Sequence, residues 1–329
     1  MVPNRRAFLA LLLIVASQAL RVGAAAQRQA APGVTLEQRV KATDAGPVVV
    51  HALRVDLREA GVRVVSALGR DVVLTNEPAK GRETVGDLAA RRGAFAGINT
   101  DFFPYTGDPL GFAVVDGELV SEPNPRRAAM GIDSAGNVLL GRLTLRGSLS
   151  VEGAGTVLAG INRPTAPDEL VLLTPTFGAE VGAGSRQLAI RLANVDLPVR
   201  IGKTVTAAVA AIEENGKALP IARDECWLVA DGAAAAWARD KLRIGAPVSL
   251  RFEVAEAEGA PEAWSRVVQA VGGGPWLVRG GQLYIDGMSG GFNETAFVQA
   301  RHPRTAVGVT AEGRLVLVVV DGRQPFSQG

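Results

Sequence analysis

Three clusters of polar residues in this sequence are richer than folding requires, and each combines residue types that bind anions or move protons. In Gly97-Ile98-Asn99-Thr100-Asp101-Phe102-Phe103 an apolar run delivers an amide and a carboxylate into a turn. In Gly272-Gly273-Gly274-Pro275-Trp276 consecutive glycines let main-chain N–H groups converge on an anion and let a ligand approach the backbone. Arg301-His302-Pro303-Arg304-Thr305-Ala306 offers guanidiniums that grip phosphate or carboxylate oxygens bidentately, and Asp321-Gly322-Arg323 places an acid at the end of an apolar run. Taken singly, each has a bland account: Asx capping by Asn99 or Asp101, a loose glycine hairpin, or solvated arginine-rich loops.

Other chemistry has less support. Two histidines are too few for most histidine-based metal sites. His51 falls on the apolar side of an alternating run and is expected as a satisfied core residue, while His302 is expected at the surface or behind a site. No Gly-x-Ser-x-Gly elbow frames a serine triad. Cys226, the single cysteine, excludes an intrachain disulfide and reads as a small buried hydrophobe. No cofactor is expected, and a divalent metal held by Asp101 and Asp321 is left as an alternative.

The elements that must position these residues are mostly strands. Val48 to Leu57 alternates as a half-buried strand, with Val62 to Ala67 expected as its hairpin partner across Gly61. Thr84 to Arg92 has helical spacing, with Thr84 as N-cap and Asp87 at the third position. A short strand, Ala94 to Asn99, leads into the first cluster. Phe112 to Val115 and Glu118 to Val120 flank Asp116-Gly117, a strong hairpin signal, and Met130 to Ile132 with Val138 to Leu145 repeat the pattern. Residues 188–254 read as short strands with one helix, Ala233 to Lys241, and as a β subdomain inserted in a larger domain. Val267 to Val271 precedes the glycines, and β character resumes at Trp276 to Val278. The continuous apolar run Leu315 to Val320 suits a strand covered on both faces. The fold class expected is α+β, β-rich, with mixed and antiparallel sheets, few helices and a single large domain spanning 47–329.

Length and composition agree. The 329 residues, 47% apolar and 21% charged, suffice for a large core and exclude a disordered chain. Residues 1–26 combine Arg5 and Arg6, an apolar stretch from Ala7 to Ala16 and a small-residue end, and read as an export signal. The route, twin-arginine or general, stays open, as does the choice between periplasm and medium. Residues 27–46 read as a flexible lead-in. Without the signal, 32 basic residues face 33 acidic ones, so the body has no field for nucleic acid. No later stretch is long and apolar enough to span a membrane.

Taken together, Ile98-Asn99-Thr100-Asp101-Phe102-Phe103, Gly272-Gly273-Gly274-Pro275-Trp276-Leu277-Val278, Arg301-His302-Pro303-Arg304-Thr305-Ala306-Val307-Gly308 and Asp321-Gly322-Arg323-Gln324 resemble the phosphodiester glycosidase family. Weaker likeness covers most of the chain after the signal. Two departures stand out: Thr100 replaces a glycine common in the family, and the chain stops before the family's Asn-Leu-Asp-Gly-Gly-Gly-Ser segment. The resemblance thus implies a domain incomplete at its C-terminus, with Leu315 to Val320 left as a partly uncovered apolar edge. It also implies hydrolysis between a sugar's anomeric carbon and a phosphodiester, on a substrate like an N-acetylglucosamine-1-phosphodiester. Phosphate would fall to Arg304 and Arg323, supported by the Gly272, Gly273 and Gly274 amides. Asp101 and Asp321 would be the carboxylates, with Asn99 and Thr305 orienting sugar or water. The alternative is a non-catalytic protein binding exopolysaccharide or envelope glycan on Trp276, Tyr284 and Phe102.

Overall fold

The computed structural model describes residues 26–329 apart from 76, 78, 183, 185, 215, 217 and 257–260. Residues 1–25 of the expected export signal lie outside the described residues. In chain order the first strands are β1 (Ala26–Ala31), β2 (Val34–Thr43), β3 (Gly46–Val55), β4 (Ala113–Val115), β5 (Glu118–Ser121), β6 (Ala128–Asp133) and β7 (Val138–Val151). Then come β8 (Ala154–Leu158), β9 (Gly160–Ile161), β10 (Leu170–Leu173), β11 (Glu180–Gly182), β12 (Leu188–Ala193), β13 (Thr204–Glu213) and β14 (Ala218–Pro220). The last are β15 (Cys226–Ala230), β16 (Pro247–Glu256), β17 (Val267–Gly272), β18 (Val278–Arg279), β19 (Gln282–Leu283), β20 (Arg304–Val309) and β21 (Leu315–Val320). Helices are few, chiefly α1 (Val85–Arg91) and α2 (Gly232–Lys241). The β-rich α+β class expected from the sequence is the one observed.

Two sheets organise the site. A five-stranded sheet runs β1-β2-β3-β21-β20, and a twelve-stranded one runs β5-β4-β17-β6-β7-β16-β13-β12-β15-β10-β9 with β8 alongside β7. Pairing is antiparallel except between β9 and β10. Strands of the 188–254 stretch fill the positions between β7 and β10 and share one core with the rest of this sheet. The Asp116-Gly117 hairpin forms as expected, both residues taking positive φ (49° and 84°). Helix α1 also starts as expected, with the Thr84 hydroxyl accepting from the Asp87 N–H at 3.1 Å.

Expectations for four segments are corrected. The lead-in 27–46 carries β1 and β2, most of whose residues are exposed, although Val34 at the start of β2 reaches the core. Val62 to Ala67 pairs with no strand, because both edges of β3 are taken by β2 and β21; Val62 and Val64 pack instead on the core between the sheets. Ala94 to Asn99 likewise forms no strand. In β21 only Leu315 is fully buried, the other residues being half-buried. The strand is not an edge, however, since β20 lies on its far side.

The sheets pack face to face through alternating residues. Rows run across the small sheet as Val55–Leu315–Val309, Leu53–Leu317–Val307 and His51–Val319–Thr305. Because side chains alternate along a strand, these residues share one face. Val55, Leu53, Leu315, Leu317 and Val307 pack against Met130, Ile132, Val138, Leu140 and Val271 of the large sheet. In the third row the face turns polar, so His51 and Thr305 stand where this apolar layer ends.

Candidate functional site

Asp101 ties the first cluster to the second. Its backbone is left-handed, with φ of 54°, a conformation that aspartate tolerates better than most residues. The turn that follows is closed by the Leu110 N–H donating to the Phe102 carbonyl at 2.9 Å, which brings Gly111 back beside Asp101. A Cβ on Gly272 would lie 3.0 Å from the Asp101 carboxylate, so the absent side chain of Gly272 makes room for the acid. Both carboxylate oxygens are buried, and neither completes a hydrogen bond of normal geometry. Desolvation raises the Asp101 pKa above its ordinary value; the Phe102 and Gly111 N–H groups and the Arg127 charge oppose this without overcoming it.

Thr305 ties the first cluster to the third, its hydroxyl donating to the Asn99 side-chain oxygen at 2.7 Å. Thr305→Val keeps the shape and removes the donor. It is expected to cost at most about 1 kcal/mol in stability and to speed amide exchange at residues 99–103. Unchanged exchange there would show that the pair does not hold the loop.

Asp321 continues the face on which His51 and Thr305 lie. Its N–H donates to the Val49 carbonyl at 3.0 Å, and its carboxylate meets His51 Nε2 at 3.0 Å. Both side chains are about a third exposed (34% and 35%). The buried Ser327 fixes the backbone here, donating to the Asp321 carbonyl at 2.6 Å and accepting from the Val49 N–H at 3.0 Å. His51, expected as a satisfied core residue, has a partner, but that partner is a candidate site acid and the ring is about a third exposed where the apolar rows end. Asp101 and Asp321 make no contact with each other.

The arginines of the third cluster are used differently from what the sequence implied. Arg304 pairs with Val320, which pairs with Val50, so its register puts it on the face opposite Thr305. Its Nη2 donates to the carbonyls of Phe297 and, at 2.9 Å, Ala300, and its guanidinium covers the Phe297 ring at 4.5 Å. Burial, aided by the Arg323 charge, holds the Arg304 pKa below its ordinary value. Arg323 donates to His302 Nδ1 at 2.8 Å, leaving His302 Nε2–H to donate to the Ala296 carbonyl at 3.0 Å. Both arginines therefore hold the π-helical turn Glu294–Gln299 and its flank. The Gly273 N–H donates to the Ala128 carbonyl at 2.9 Å, so the triplet does not present three free amides.

Other site residues carried no local sequence signal. Phe102, Phe292 and Phe297 form a ring cluster with centroids 4.9 to 5.6 Å apart. The Arg127 guanidinium lies over Phe102 at 4.8 Å and Phe292 at 4.9 Å. Asp286, buried, accepts from the Trp276 N–H at 2.8 Å and pairs with Arg142, anchoring the chain beyond the glycines. Cys226 is buried in the core and its thiol pKa is pushed up to about 12, unfit for a nucleophile. Among the described residues no three His, Cys, Asp or Glu side chains converge as metal ligands. A cavity of about 880 Å³ lies elsewhere, lined by Arg70, Leu74, Arg163, Phe177 and neighbours, with none of the three clusters in its wall. Arg163 there is already paired with Glu122 and Glu169.

The fold has solved counterparts. A hypothetical protein from Synechocystis superposes with a TM-score of 0.70 at 20% identity, over 91% of this chain and 53% of its own. A candidate exported protein of Burkholderia pseudomallei gives 0.63 at 24% identity, over 85% and 63%. The present chain thus spans between half and two thirds of the length of these two proteins. The catalytic domain of zebrafish N-acetylglucosamine-1-phosphodiester alpha-N-acetylglucosaminidase, auto-inhibited by its pro-peptide, is 17% identical over 92% and 66%, with a TM-score of 0.39. No curated protein matches the chain. Two of the three clusters, with Asp321, fall inside the stretch that a family model recognises, whereas Asn99 and Asp101 precede it. Residues 203–329 match the phosphodiester glycosidase family, the one that the motifs of this chain resemble.

Proposed function

We propose that the protein is an exported glycosidase that hydrolyses the bond between a sugar's anomeric carbon and a phosphodiester. The observation that carries this reading is Asp101. It is a buried acid, kept toward its neutral form by desolvation, in a loop held to the glycine strand by Gly272 and to β20 by Thr305. An acid held toward its neutral form in this way is suited to protonate a departing oxygen.

In the proposed reaction water attacks the anomeric carbon, and the bond from that carbon to the phosphate oxygen breaks. Its electron pair leaves with the phosphate, which takes the Asp101 proton as it becomes a monoester. Asp321, held by His51, accepts the proton lost by the water; it then releases that proton to solvent, and solvent returns one to Asp101. The products are the free sugar and the phosphate monoester. Asn99 and Thr305 line the approach and orient the sugar or the water.

The test is sugar release from an N-acetylglucosamine-1-phosphate alkyl ester by the purified protein, with and without a chelator. Equimolar free sugar and alkyl phosphate is the expected result, and chelator-insensitive turnover would dismiss a metal held by the two aspartates. Absence of release across a panel of sugar-1-phosphodiesters would overturn the reading. One feature favours a non-catalytic glycan-binding role instead: Tyr284 and Leu283 are exposed on the β18–β19 hairpin. That role predicts glycan binding without sugar release. Export is supported by the signal-like N-terminus and by the likeness to a candidate exported protein. No helix among the described residues is long and apolar enough to cross a membrane.

A further inference from the structure

We propose that Arg127 and Asp101 together form the anion site that receives the phosphate group, a role that the sequence motifs would give to Arg304. The inference rests on the reading of the substrate as a phosphodiester and specifies which side chains meet its charge.

Both groups keep hydrogen-bonding capacity that no protein group uses. Arg127 Nη1 is buried without a partner, and the buried oxygens of Asp101 have only the imperfect approach of the Phe102 and Gly111 N–H groups. The two do not pair with each other, although the Arg127 charge acts on Asp101. Arg304 is different, its Nη2 being occupied by the Phe297 and Ala300 carbonyls, and Arg323 is engaged with His302. The rings of Phe102 and Phe292, 5.3 Å apart, lie together on one side of the Arg127 guanidinium, fixing its plane and shielding that side from water. A desolvated guanidinium is a strong partner for a phosphate oxygen.

Asp101 sets the condition for binding. As a neutral acid it donates its O–H to a phosphate oxygen; as a carboxylate it repels the anion. Around it, Gly272 and Gly111 bring no charge from β17 or from the approach to β4, and Phe102 and Phe292 bring none from their loops. Arg127, just before β6, is the charged group that acts on it among the described residues. Affinity for a phosphodiester therefore falls as pH rises through the Asp101 titration.

The test uses dimethyl phosphate, a single-charge anion across the working pH range, with binding followed by phosphorus NMR. Wild-type protein is expected to bind it more tightly at pH 5 than at pH 8. Arg127→Gln is expected to weaken binding about tenfold or more, and Arg304→Gln less than about threefold. Asp101→Asn, which keeps a donor and removes the titration, is expected to bind with no pH dependence. If Arg127→Gln does not fold, Arg127→Lys decides: it keeps the charge but loses the planar fork, and several-fold weaker binding is expected. The proposal is overturned if the wild type does not bind dimethyl phosphate, if the folded Arg127 variant binds as the wild type does, or if Asp101→Asn keeps the pH dependence. Binding through Arg127 without sugar release would defeat the proposed hydrolysis and leave the anion site standing. Hydrolysis with binding indifferent to Arg127 would defeat only the anion site.

Discussion

Asp101→Asn is expected to lower turnover on a sugar-1-phosphodiester by about 10²–10⁴-fold while raising thermal stability at neutral pH. The two effects have one cause. A carboxyl group buried against Gly272 and Gly111, with no completed hydrogen bond, is costly to ionise, and its folded-state pKa lies above its unfolded value. Its favourable contribution is complete below the unfolded pKa and is lost as pH rises through the folded one, so above that point the native state carries an ionised acid that it solvates poorly. The amide removes that penalty and removes the transferable proton with it. Melting temperature and kcat measured on the same variant across pH 4 to 9 decide the matter. A variant that melts lower than wild type at pH 8, or turns over as fast, would remove Asp101 from its role.

Asp321→Asn is the second large effect, again about 10²–10⁴ in kcat, with KM little changed, because the group is assigned to the water and not to the sugar or phosphate. His51→Gln tests the same arrangement from behind. His51 Nε2 meets the Asp321 carboxylate at 3.0 Å, and loss of that contact lets the acid swing away from its line of attack. A misplaced base of this kind costs roughly 10–100-fold, and again in kcat rather than KM. If His51→Gln raises KM alone, the histidine contacts substrate and does not position the acid. If Asp321→Asn leaves kcat intact, the base lies elsewhere.

Much of this arrangement was legible in the residues themselves. The three clusters announced themselves by composition, and the structure joins the first to each of the others through Asp101 on Gly272 and Asn99 on Thr305. Local rules also carried the Asp116-Gly117 turn and the Thr84 cap, because both depend on neighbours within four residues. What the sequence hid was set by parity and by distant pairing. The alternation that put His51 on the apolar side of its strand was right, but only the pairing of β3 with β21 shows that the apolar face ends at that row. The same parity sends Arg304 to the other face, where backbone carbonyls take its guanidinium. Arg127 follows Arg126 in a loop, with nothing local to separate the two, and the rings that cover one side of it come from residues 102 and 292. Val62 to Ala67 has the composition of a strand and lacks only a free edge to join.

The seam between β3 and β21 has a consequence for how the molecule comes into being. It joins residues 50–55 to residues 315–320, so this edge of β3 stays open until residues 315–320 have left the ribosome. The larger sheet is made from residues between those limits and can form while β3 still carries a bare edge. His51, made early, acquires Asp321 only as this seam closes, so the proposed base is held in place only once β21 has joined β3.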